Sequence, residues 1–349
     1  MKIFKLNISL FFSTFLVVFV VLLSSCDKNG NDDPPVDPND SIPNDSLPND
    51  TLLEITQPVS AIAVGKDNTK WIGTSAGLYK SVSGGYLLVD SIAVNTLLFE
   101  EESDLFWVGT TQGIIKLTLS GSEIVSNSNI PTANVSHQNI RASYLEGSTN
   151  KWFGTNMGIT LNHGDYWKND SFRINVLNNI FPMELEAMEV NSISVWEGDY
   201  YFATNGGYIY RATGYDASVD AFSGATQWVP PYNGYNLTSN MNVVFVDSEG
   251  IQWMGGESGI QLHRGHDPKN MEDFAFFKDE LVSPLILTIA EAPDGKVWVG
   301  TDKGISIYDG TTWSTHTENL PDLYISSIAF DKTDGSAWVG TKKGLVIVK

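Results

Sequence analysis

At 349 residues, with 42% apolar residues and 31 glycines, the chain can bury a large core as one closed all-β domain or as two average domains. It carries 41 Asp and Glu against 21 Lys and Arg, a formal charge of −20. A field of that sign repels phosphate backbones, which argues against nucleic acid as a partner and disfavours polyanionic glycans unless a divalent cation bridges them.

The chain opens with Lys2 and Lys5 and an apolar run from Ile8 to Leu23. That run is short for a membrane span and suits the core of a signal peptide. It ends in Leu23-Ser24-Ser25-Cys26, which resembles a bacterial lipobox: a branched residue, two small residues for the peptidase, and a cysteine that becomes the lipidated N-terminus. Cys26 is the single cysteine, so no thiol is left for disulfides, metal or nucleophilic chemistry. Residues 1–25 are therefore expected to be a removed signal peptide and 26–51 a membrane-anchored tether. Pro38-Asn39-Asp40-Ser41, Pro43-Asn44-Asp45-Ser46 and Pro48-Asn49-Asp50-Thr51 repeat within it, with too little apolar surface to offset the entropy of ordering. The acidic stretch from Asp27 to Asp33 resembles the export signals of Bacteroidetes surface lipoproteins. That resemblance implies the cell envelope, at the outer membrane and its surface, as the location.

From residue 52 onward the sequence repeats itself. The pattern is an anchor ring, an apolar residue, Gly, Thr, two variable residues, Gly and an apolar residue. It starts at Trp71, Trp107, Trp152, Tyr201, Trp253, Trp298 and Trp338, with Tyr201 heading the one degenerate copy. Successive anchors lie 36, 45, 49, 52, 45 and 40 residues apart, the length of one four-stranded propeller blade. Ahead of the anchors run β-branched segments such as 61–64, 243–246 and 325–330, and acid-glycine pairs such as Glu197-Gly198 and Asp294-Gly295 mark the turns between. Period-2 alternation places each anchor ring and its following Gly on one face, where the missing side chain lets the neighbouring sheet approach. The Thr hydroxyl is expected to close the next loop and the second Gly to supply a left-handed turn.

The seventh copy stops at Lys349 after its third strand, while residues 51–56 precede the first copy with no other partner. The fold class that follows is all-β: a seven-bladed propeller over 52–349, its ring closed by an N-terminal strand that completes the last blade. A β-solenoid is the alternative.

These copies closely resemble the two-component regulator propeller repeat, over about residues 58–349. In that family the repeats form extracytoplasmic sensors of hybrid histidine kinases that respond to polysaccharide breakdown products. This chain has one such propeller instead of two and no kinase segment. The resemblance therefore implies ligand capture at the envelope, of a saccharide or a peptide, without signalling. A protein-interaction scaffold in outer-membrane assembly or glycan-uptake complexes is the alternative.

Catalysis is the weaker reading. Of the five histidines, His263-x-x-His266 has ligand-like spacing, but it begins in the expected third strand of blade five and runs into a loop with Gly265, Asp267 and Pro268, and a surface turn explains it better. Asp-rich turns could hold Ca²⁺, yet no calcium-loop pattern is present, so neither a metal nor a cofactor is expected. The longest connections, 169–189 and 228–240, are the expected binding surface. The second carries Trp228, Tyr232, Tyr235 and Asn236, rings beside amides on a proline-stiffened segment, as stacking on a sugar face requires.

Overall fold

The computed structural model describes residues 54–120, 123–131, 137–168, 188–205, 207–216, 221–228, 240–265 and 270–349. The chain divides into Met1–Asn49 and Asp50–Lys349, and every described residue falls in the second unit. The lipobox at Cys26 and the tether lie outside the described residues. Among the described residues no helix is long and apolar enough to cross a membrane.

The strands form seven antiparallel sheets, each written here from the inside outward. Blade 1 is β1 (Val59–Val64), β2 (Lys70–Thr74), β3 (Leu78–Val82) and β4 (Gly85–Asp90). Blade 2 is β5 (Thr96–Glu100), β6 (Leu105–Thr110), β7 (Gly113–Ser120) and β8 (Glu123–Asn129). Blade 3 is β9 (Ile140–Glu146), β10 (Asn150–Thr155), β11 (Gly158–His163) and β12 (Tyr166–Lys168). Blade 4 is β13 (Val190–Trp196), β14 (Asp199–Thr204), β15 (Ile209–Asp216) and β16 (Ala221–Trp228). Blade 5 is β17 (Met241–Val246), β18 (Gln252–Gly256), β19 (Gly259–His263) and β20 (Phe274–Phe277). Blade 6 is β21 (Ile286–Glu291), β22 (Val297–Thr301), β23 (Gly304–Tyr308) and β24 (Trp313–His316). Blade 7 is β25 (Ile325–Phe330), β26 (Ala337–Thr341) and β27 (Gly344–Val348).

The first strand of every blade neighbours the first strand of the next, from β1 to β25, and β25 neighbours β1. The sheets therefore close into a ring around a central channel, and the fold is the seven-bladed propeller expected from the repeats. Its core lies between blades. Six of the anchor rings are buried, and Trp298 is half-buried against Phe330 of the next blade. The glycine two places after the ring faces the next blade's first strand. A Cβ would meet Val94 at Gly73, Ile140 at Gly109, Val190 at Gly154, Ile286 at Gly255, Ile325 at Gly300 and Val59 at Gly340, all within 3 Å. Blade 4 has Ala203 here, packed with Met241, whose unbranched chain leaves room for a methyl.

The anchor threonines close their loops as expected. Thr110, Thr155, Thr301 and Thr341 each donate from Oγ1 to the carbonyl three residues on, at 2.8 to 3.0 Å. The following glycine takes a positive φ in most copies, 119° at Gly304, but Gly77 does not. There the requirement is space, because a Cβ would lie 2.6 Å from the Asp90 carbonyl.

The N-terminal segment does lie on the last blade, where Leu345 N donates to Ile55 O at 3.2 Å. Ile55 is buried with Val59, Ile72 and Tyr79. Residues 54–56 do not extend that contact into a ladder, so within the described residues the last sheet has three strands.

His263 does lie in the third strand of blade 5, as expected, but the surface-turn reading is corrected for it. His263 ends β19, is covered by Phe274 of β20 with ring centroids 4.2 Å apart, and sets Nδ1 2.6 Å from Gln252 Oε1. It is fully buried because the third strand of a four-stranded blade is covered on both sides. His266 lies outside the described residues.

Candidate functional site

Each first strand opens with an apolar residue that faces the previous blade's glycine, followed by one that breaks the pleat. In β1, β9, β13, β17, β21 and β25 the register with the second strand skips one residue. The skipped residues are Ser60, Arg141, Asn191, Asn242, Leu287 and Ser326. In blade 2 the equivalent residue is Asn95, whose N–H donates to Gly109 O at 2.8 Å just ahead of β5. A bulge leaves its residue outside the ladder and re-aims it. Here it turns one side chain per blade toward the channel.

Five of these seven side chains lace the ring together. Ser60 donates to Val94 O, Asn95 to Ile140 O at 2.8 Å, Asn191 to Met241 O at 2.9 Å, Asn242 to Ile286 O at 2.8 Å, and Ser326 to Val59 O. Every acceptor is the carbonyl of the apolar residue that opens the next blade, so the bonds run in one direction around the channel. Arg141 and Leu287 depart from the rule. Leu287 has nothing to donate, and Arg141 Nε donates to Asn191 Oδ1 at 2.8 Å.

These side chains line a cavity of about 420 Å³ at the channel mouth. Six blades contribute: Ser60, Asn95, Arg141, Asn191, Asn242 and Leu287 from the bulges, with Asn139 and Thr111 beside them. Asn139 joins the network by accepting from Asn95 Nδ2 at 3.0 Å. The lining therefore has amides whose orientation is fixed by backbone bonds, one guanidinium and one aliphatic side chain. Such a surface can order hydroxyls and a single anionic group.

Of the aromatic residues expected to form the binding surface, only Trp228 falls among the described residues. Trp228 is the last residue of β16, its backbone paired with Ile209 of β15, so it belongs to blade 4's outer strand before the long connection begins. Tyr232, Tyr235 and Asn236 lie outside the described residues. The channel-facing residues were missed, although a signal was present. An apolar residue followed by the bulge residue recurs 10 to 12 positions ahead of every anchor ring, from Val59-Ser60 to Ile325-Ser326. Among the described residues no group of three or more His, Cys, Asp and Glu side chains is placed to hold a metal.

No protein-family model matches the chain, and no curated protein does. Solved structures resemble it. The extracellular domains of the hybrid two-component systems BT4673 and BT3049 of B. thetaiotaomicron superpose with a TM-score of 0.66 each, at 17% and 20% identity, over 85% and 87% of this chain. This chain spans 39% and 40% of their lengths. Virginiamycin B lyase of Staphylococcus aureus superposes with a TM-score of 0.61 at 13% identity, over 84% of this chain and 96% of its own. At these identities the likeness shows the fold, which serves both extracellular domains of two-component systems and a lyase, so function has to be argued from the site. The chain is an all-β seven-bladed propeller similar in fold to the extracellular domains of Bacteroides two-component sensors.

Proposed function

We propose that the protein is an envelope-anchored binding propeller, tethered through Cys26, that captures a small polar ligand at the channel mouth. The observation that carries this reading is the bulge-presented ring of amides and one guanidinium around a cavity of about 420 Å³, a size in the range of small-ligand sites. The ring needs some of these groups for its own hydrogen bonds, but Arg141 is not bonded to the next blade's backbone, and structure alone does not call for it. The fold likeness to sensor extracellular domains supports a ligand-binding role. The aromatic segment 228–236 precedes β17 in the sequence and is proposed to add ring faces to the contact.

Leu287→Trp tests the reading, because Leu287 takes no part in the ring of bonds and an indole there would fill the mouth. The full chain, purified in detergent, is screened on an array of neutral and acidic oligosaccharides and short peptides. Binding present in the parent and lost in Leu287→Trp, with an unchanged melting temperature, is the expected result. Parent binding that survives the substitution, or an array that stays blank, would refute ligand capture at the mouth.

A further inference from the structure

We propose that the ligand seated at this mouth is a sugar acid, with its carboxylate on Arg141; the proposal rests on the binding reading above and specifies its chemistry. Among the described residues Arg141 is the one charged side chain in the cavity lining, and none of their carboxylates is paired with it. That is unexpected in a chain where acids outnumber bases 41 to 21. The equivalent bulge residue in the other six blades is Ser, Asn or Leu, so the charge is a local departure from the repeat.

The guanidinium is also held in place. Its Nε donates to Asn191 Oδ1, while Asn191 Nδ2 is bound to Met241 O. This fixes the plane of the group and leaves its two terminal amino nitrogens with no partner among the described residues. An exposed, oriented fork of N–H donors in a cavity without a counter-ion matches a carboxylate, which can accept two parallel bonds from it.

The remaining lining selects what carries that carboxylate. Asn95 Nδ2 donates to Ile140 O and Asn139 Oδ1, and Asn242 Nδ2 donates to Ile286 O, which fixes both amides and leaves their Oδ1 atoms as acceptors for hydroxyls. Among the described residues Leu287 is the one apolar side chain in the lining, so they offer a peptide terminus no pocket for a hydrophobic side chain. The chain's charge of −20 repels long polyanions over a Debye length of about 8 Å in physiological salt. A short ligand with a single carboxylate is the case that satisfies the guanidinium without meeting that repulsion.

The test compares glucuronate and galacturonate, each as the free acid and as its uncharged methyl ester, with a glucuronate-ended disaccharide in both forms. Binding to the full chain is measured by calorimetry and ligand-observed NMR. The acids are expected to bind roughly tenfold or more tighter than the esters, and Arg141→Gln to remove that difference while Arg141→Lys keeps part of it. Acid and ester binding alike, an acid preference that persists in Arg141→Gln, or no binding of any acid would overturn the proposal. Neutral glycans that bind and are lost in Leu287→Trp would then leave ligand capture standing and remove only its acidic chemistry.

Discussion

A single glycine per blade sets how closely neighbouring sheets approach. At Gly300 a Cβ would sit 2.7 Å from Ile325 Cγ2 and 2.6 Å from Thr288 Cγ2, below any real carbon contact. Both neighbours are β-branched and cannot swing aside cheaply. Blade 4 tolerates Ala203 because its neighbour is Met241. Gly300→Ala is therefore expected to cost about 1 to 3 kcal/mol of overpacking, and adding Ile325→Met to recover part of it. Urea unfolding of the two variants checks both statements, and a Gly300→Ala midpoint equal to the parent's would show that the joint is looser than these distances require.

At the scale of elements, blades are also joined at the turn between first and second strands. In three blades the residue just before the anchor ring reaches back to an acid that ends the previous blade's first strand or directly follows it. Lys151 pairs with Glu100 at 3.1 Å, Tyr200 donates to Glu146 at 2.5 Å, and Lys70 pairs with Asp331 across the ring closure. The same acids can cap their own blade's anchor, as Trp107 donates to Glu100 at 3.1 Å and Trp152 to Glu146 at 2.9 Å. Burial would raise the Asp331 carboxyl, but bonds from Lys70, Thr333 and Asn68 outweigh it and hold the group well below the usual carboxylate range.

A carboxylate whose folded value lies below its unfolded value, near 3.9, contributes in full above that unfolded value. The contribution is lost as pH falls through the folded value. Lys70→Ala leaves that carboxylate buried without its cation, an expected cost of about 3 kcal/mol near neutral pH. The deficit should shrink toward about pH 2, where the parent loses the same contribution. Denaturant melts across that range test the sign, and a deficit that grows in acid would contradict it.

Across the whole molecule, stability depends on closing the ring. The first blade meets the last through Val59 against Gly340, Ser326 on Val59 O, Lys70 on Asp331 and the Ile55 contact with Leu345. Deleting residues 52–56 removes the buried Ile55 and uncovers the start of β27. At about 2 kcal/mol or more for a buried isoleucine, and about 2 to 4 °C per kcal/mol in a domain of this order, a fall of at least roughly 4 °C in melting temperature is expected. Calorimetry of the truncated chain reads this directly, and a shift within a degree would mean that the ring closes without the segment.

The number of blades, the strand order and the role of each anchor ring were legible in the sequence. They depend on local chemistry: the period-2 face in all seven copies, the threonine that closes its own loop in all but the Gly256 copy, and a glycine at a fixed offset in all but the Ala203 copy. The Tyr201 copy was recognisable because Ala203 keeps the small-residue requirement. The candidate site was not legible in this way. Alternation assumes an unbroken pleat, and bulges in six of the seven first strands shift residues such as Ser60, Arg141, Asn191 and Asn242 out of the ladder and toward the channel. Read along the chain, those residues are separated polar positions near strand starts, which drew attention instead to the aromatic segment at 228–236. Sequence determined the repeating unit, since each blade's turns and packing rules lie within some 50 residues. Tertiary structure alone decided the candidate site, because the Arg141 guanidinium joins the other channel residues only when ring closure gathers six distant strands, and among the described residues no counter-charge is paired with it.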